Sequence, residues 1–180
     1  MNAASAAEKA GKRPAGRHRS AARLAAVQAL YEMDMAGAAA DPVLREFLLS
    51  RWTDTENGGE DIGGLETGGL AEPDGELLFA LVHGVGDRHA ELDGLIAPAL
   101  SAKWTMERLE TVLKAVLRAG AFELLALTNV PPRVVISEYV DVAHAFFSGG
   151  EPGFVNSVLD HLARKLRARE MAAKEDGDEG

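Results

Sequence analysis

Lys9, Lys12, Arg13, Arg17, Arg19 and Arg23 crowd the start of a chain whose formal net charge is −9, and up to Tyr31 only Glu8 opposes them. Cations gathered at one end of an otherwise acidic protein suit a phosphate-bearing partner, because each phosphate neutralised releases condensed counterions. The cluster leads into RHRSAARLAAVQALY, from Arg17 to Tyr31, where Leu24, Val27, Leu30 and Tyr31 recur at helical steps and form a core-facing stripe. Arg19 and Arg23 precede Val27 on the same row, so their stems are expected to cover the edge of the packed face while both guanidinium groups reach outward. Positive charge at a helix N-terminus costs roughly 0.3–1 kcal/mol per exposed group, and an anion bound there removes the penalty. A solvated basic start is the plainer reading of a lone Arg pair; the clustering favours a phosphate.

A second group is aromatic. Phe146, Phe147 and Phe154 flank Ser148-Gly149-Gly150-Glu151-Pro152-Gly153, the Gly-rich connection late in the chain. An exposed Phe pair beside such a loop would stack single-stranded bases, worth roughly 1–3 kcal/mol per base. Helical aromatics more often fill cores, and spacing alone favours that reading over the platform.

Other chemistry finds little support. Gly84-Val85-Gly86 lacks the further glycines and the preceding strand of a nucleotide-binding turn, so helix packing accounts for it better. None of the 5 histidines pairs with another at i, i+4, and cysteine is absent, which removes disulfides, thiolate metal sites and thiol nucleophiles. Ser137 and Ser157 lack the strand-turn-helix context of a nucleophile elbow, and no carboxylate pair is marked as acid and base. The residues make no positive case for an enzyme, a cofactor or a metal. No apolar run approaches a membrane span, and no apolar segment follows the basic start as in a secretory signal, so a cytoplasmic protein is expected.

Helices must position these groups. Few aromatics with abundant Ala and Leu favour packed helices over strands. Residues 1–16 read as a disordered basic tail, 17–169 as one helical domain, and 170–180 as a frayed polar tail. The first helix is expected to run to about Gly37, and Asp41-Pro42 to open a short second one. Residues 53–75, rich in Gly, Asp and Glu, read as a flexible acidic insertion. Helical period resumes at Glu76, with a break expected near Gly94 and an end at Pro98. Trp104 to Leu127 is expected to form the central buried helix, with Gly120 allowing a close crossing. Asn129-Val130-Pro131-Pro132 separates it from a helix lined by Val135, Tyr139, Val142 and Phe146, and a last stripe runs from Val155 to Leu166. The fold class is therefore all-α, a compact bundle of about seven helices.

Several blocks resemble, in order, the NusB family of bacterial transcription antitermination factors. These are Arg19 and Arg23 followed by Val27-Gln28-Ala29-Leu30-Tyr31; Leu113-Lys114-Ala115-Val116-Leu117-Arg118 with Phe122-Glu123-Leu124; Val130-Pro131 with Val135-Ile136-Ser137-Glu138; and Phe154-Val155-Asn156-Ser157-Val158-Leu159-Asp160. The resemblance implies a non-enzymatic RNA-binding protein that joins the small-subunit ribosomal protein NusE on the single-stranded boxA element, within the transcription elongation complex of ribosomal RNA operons. It further implies Arg17, Arg19 and Arg23 at phosphates, Gln28 and Tyr31 on the same helix, and Phe146, Phe154 and Asn156 at bases. Ser20 and Ala21 interrupt a start that is denser in Arg in the family pattern, Ser137 and Ser157 stand where Asn and Gly are usual, and His144 replaces a Lys. Weaker phosphate binding is the expected consequence, with Lys9, Lys12 and Arg13 offsetting it. The alternatives are a helical adaptor that binds protein alone, and a stand-alone relative of the NusB-like domain of ribosomal RNA cytosine methyltransferases, whose chemistry needs a Cys this chain lacks.

Overall fold

The computed structural model describes residues 14–56 and 71–173, so Lys9, Lys12, Arg13 and most of the expected insertion lie outside the described residues. Among the described residues eight α-helices follow in order: α1 Pro14–Ala36, α2 Ala40–Glu56, α3 Gly75–Asp87, α4 His89–Ile96, α5 Thr111–Ala126, α6 Pro132–Phe146, α7 Glu151–Leu166 and α8 Ala168–Ala172. Short 3-10 turns occupy Ala97–Ala99 and Met106–Arg108. Among the described residues there is no strand, and the all-α bundle stands.

Helix α5 is the axis of the bundle, with α1, α3, α4, α6 and α7 packed around it. Its sequence explains this, because Leu113, Val116, Leu117 and Leu124 are buried while Ala115, Ala119 and Ala121 let neighbours approach on the remaining faces. Gly120 permits a close crossing: a Cβ there would lie 2.7 Å from Leu159 Cδ1 and 3.3 Å from Tyr139 Cδ2. Gly84 in α3 serves the same end, since its missing side chain is replaced by the Phe122 ring, whose tip would stand 2.0 Å from an added Cβ. Glycine in the Gly84-Val85-Gly86 triplet is therefore a packing device.

Helix boundaries follow local chemistry and shift some expectations. α1 ends at Gly37, which takes the left-handed φ of 62°, and Ala38 N–H then donates to the Met33 carbonyl at 3.2 Å, closing the end as a Schellman motif. α2 is longer than the sequence suggests: residues 53–56 continue it instead of opening the insertion. The long stripe from Glu76 breaks at Arg88 and not at Gly94, which sits inside α4. Bending there lets both Leu92 and Ile96 face the core. Trp104 to Glu110 is not helical except for the 3-10 turn, and α5 begins only at Thr111. Leu109 is buried from an extended backbone while Trp104 remains outside.

Candidate nucleic-acid interface

The basic start of α1 is fastened to the bundle by three neighbours. His18 Nδ1 meets the Glu72 carbonyl, and Asp74 N–H donates to the His18 carbonyl at 2.9 Å, so residues 72–74 are tied to the first turns of α1. Asp74 then caps α3 by accepting from Leu77 N–H at 3.1 Å. Ser20 Oγ is 2.9 Å from the Gly16 carbonyl and 2.6 Å from Glu138 Oε2, which anchors α1 to the middle of α6.

Within this frame the three arginines part company. Arg17 is exposed and Arg19 half-buried, with its Nε covered and lacking a hydrogen-bond partner among the described residues. Arg23 is turned inward and only 3% exposed. Its guanidinium makes a two-pronged contact with Glu123, Nε to Oε2 at 2.9 Å and Nη2 to Oε1 at 2.5 Å, and Nη1 reaches Glu138 Oε2 at 3.2 Å. Tyr139 Oη donates to Glu123 Oε2 at 2.9 Å. The reason is electrostatic: Glu123 is fully buried on α5, and a carboxylate there is sustainable only with a cation and further donors around it. The expectation that both guanidinium groups of the row reach outward is thus corrected for Arg23, whose planar fork is matched to carboxylates. Burial alone would lower the Arg23 pKa, but the hydrogen bond to Glu123 and the charges of Glu123, Tyr139 and Glu138 leave it raised. Burial, with the charge of Glu123 second, also pushes the Tyr139 hydroxyl well above its ordinary value.

Farther along α1, Gln28 is half-buried, and Tyr31, expected on the core-facing stripe, is instead 39% exposed, while Val27 and Leu30 are buried. The other end of α6 carries the aromatic group. Phe146 closes α6, Phe154 lies in the first turns of α7, and both, like Phe147, are half-buried against the core with part of their surface outside. Asn156, two residues on, is exposed. The α6–α7 connection brings Phe146, Phe154 and Asn156 to one end of the bundle. It does not bring them against the arginines: Phe146 is eight residues beyond Glu138, about 12 Å along α6 at 1.5 Å per residue. Trp104, expected at the start of the central helix, lies before it in the non-helical approach to α5. It is 48% exposed, and its ring centroid lies 6.0 Å from that of Phe154 with planes inclined at 52°. Glu123 was also informative, since an acid inside the apolar Ala121-Phe122-Glu123-Leu124 run requires a buried cation. Among the described residues, no three His, Cys, Asp or Glu side chains are grouped to hold a metal ion.

The model of the family described as "NusB family" matches residues 20–164, from the anchoring Ser20 to the end of α7. The chain belongs to the NusB family. A relative named transcription antitermination protein NusB, from Rhodospirillum rubrum, is 49% identical over 160 residues, which are 82% of this chain and 84% of that protein. Among solved structures, T. maritima NusB superposes with a TM-score of 0.66 at 25% identity, covering 86% of this chain and 96% of its own. A chain of the crystal structure of antitermination factors NusB and NusE in complex with dsRNA shares the fold, with a TM-score of 0.62 at 24% identity over 83% of this chain and 98% of that one. The family match runs from Ser20 in α1 through the α6–α7 connection, and Arg17 and Arg19 lie just before it. Among the described residues no helix is long and apolar enough to cross a membrane.

Proposed function

We propose that this NusB-family chain is a transcription antitermination factor that binds single-stranded boxA-type RNA jointly with the ribosomal protein NusE, in the cytoplasm and as part of the elongation complex. The observation that carries the reading is the family match across the bundle, from the helix bearing the arginines to the helix bearing Phe154 and Asn156. Its mechanism is binding without catalysis. Arg17 and Arg19, with Lys9, Lys12 and Arg13 before them, hold phosphates; Gln28 and Tyr31 extend that surface along α1; Phe146 and Phe154 stack bases, and the exposed Asn156 amide hydrogen-bonds a base edge. Arg23 is left out of the phosphate set, because its fork is filled by Glu123 and Glu138. The net charge of −9 suits a basic ribosomal protein as the second partner.

The test is a titration of labelled boxA RNA at several salt concentrations, with and without NusE. Binding that tightens with NusE and weakens with salt, by about 0.7 log units per log unit of salt for each phosphate held, is the expected result. Absence of binding at low salt with NusE present overturns it in favour of a protein-only adaptor. Transfer of a methyl group from S-adenosylmethionine to RNA would overturn the binding-only mechanism.

A further inference from the structure

The segment between the Ala97–Ala99 turn and α5 is left without a role by the reading above, yet it carries cations and an aromatic ring side by side. Lys103, Trp104 and Arg108 are all exposed, and the loop folds so that Arg108 Nη1 donates to the Lys103 carbonyl at 3.4 Å. Trp104 N–H also closes a turn onto the Ser101 carbonyl at 2.9 Å, which fixes the backbone beneath the indole. The indole does not fill the core. It leans on Phe154 at an inclined angle, and a tilted pair leaves an indole face open instead of sandwiching it. Of the two acids nearby, Glu107 is occupied locally: a hydrogen bond from its own backbone N–H, then one from Thr105, holds its carboxyl below the usual range. Glu110 is exposed at the threshold of α5.

Cations interleaved with an exposed aromatic are the composition of a single-strand groove, where the cations follow the backbone and the ring takes a base face. The geometry points to Trp104 as a further base-stacking residue of the RNA site, with Lys103 and Arg108 holding the phosphates of the strand that passes Phe154. This inference rests on the proposed RNA function and supplies the aromatic end of the site with charge of its own. The strand would then run from the α1 start along α6, over Phe146 and Phe154, and on to the 101–110 loop.

The experiment uses the full chain with Trp52→Phe, which leaves Trp104 as the sole fluorophore of the 2 tryptophans. Fluorescein-labelled boxA RNA is added in the presence of NusE, and anisotropy of the RNA is read beside Trp104 emission. Quenching of Trp104 in step with the anisotropy rise is expected. Trp104→Leu, which keeps an apolar side chain on Phe154 but no π face, should weaken binding roughly ten- to a hundredfold. Trp104→Phe should recover most of that loss, and thermal midpoints report whether each variant is folded. Replacing Lys103 and Arg108 together by Gln should reduce the salt slope by roughly 1.4. Anisotropy that rises without any change in Trp104 emission, with Trp104→Leu binding as the parent does, overturns the inference and leaves the RNA function standing. Equal losses in Trp104→Leu and Trp104→Phe with lowered midpoints overturn it as well, by making Trp104 a structural wedge. No anisotropy rise for the parent chain removes the RNA function and this inference together.

Discussion

Arg19 and Arg23 are the same residue type one helical turn apart on the same row of α1, yet they do opposite things. Arg19 stands at the rim, half-covered, with an Nε that no described group satisfies, whereas Arg23 is sealed inside and satisfied by Glu123 and Glu138. What separates them is not the arginine but what α5 and α6 present to each level of α1. Opposite Arg23 the bundle offers two carboxylates and the Tyr139 hydroxyl; the level of Ser20 already takes the edge of Glu138, and the helix has left the core before Arg17. A guanidinium is thus recruited inward wherever a buried acid needs it, and is left for an external anion elsewhere.

The comparison can be broken most sharply at Arg23. Replacing it with Met takes the guanidinium fork away from the fully buried Glu123 carboxylate, so the expected loss of folding stability in urea denaturation is about 3–5 kcal/mol. The folded fraction should still bind boxA RNA with an unchanged salt slope. A stable Arg23→Met protein with a flattened slope would return Arg23 to the phosphate surface.

Tyr139 gives a smaller effect with a definite sign in pH. Its folded pKa is raised, so the contribution is complete below the unfolded tyrosine value, near about 10, and declines above it as the unfolded chain releases a proton that the folded chain keeps. Stability measured between pH 9 and 11 should fall with a slope approaching about 1.4 kcal/mol per pH unit from this group. Tyr139→Phe should remove that part of the slope and cost roughly 1.5–3 kcal/mol at neutral pH, because Glu123 loses a donor. An unaltered alkaline profile in Tyr139→Phe would mean that the cluster is open to water.

The smallest change in stability belongs to Arg19. Arg19→Ala should stay within about 0.5 kcal/mol of the parent in the same denaturation assay. It should, however, reduce the RNA salt slope by about 0.7, the contribution of one single-strand phosphate. A destabilisation as large as that of Arg23→Met would place Arg19 in the buried network too.

How far the sequence could be read depends on range. Periodicity along a helix is local, so the stripes of α1, α5, α6 and α7 and the close crossing at Gly120 were visible before any coordinates, as was the breaker Asn129-Val130-Pro131-Pro132. The ordered blocks from Arg19 to Asp160 were enough to point to the NusB family, and the match over residues 20–164 agrees. Composition and period could not reveal which of two arginines on one row would be claimed by acids a hundred residues away. That required α5 to bring Glu123, and α6 to bring Glu138, to the same level of α1. Nor could they place Trp104 outside the core, because an indole before an apolar run looks like its first turn until Leu109 is seen to bury from an extended backbone and leave the ring beside Phe154. Helix, family and the presence of a cationic start are properties of neighbouring residues in the chain. Which cations are free to meet an anion is a property of residues that folding brings together, and burial makes that choice through the cost of leaving a charge unpaired.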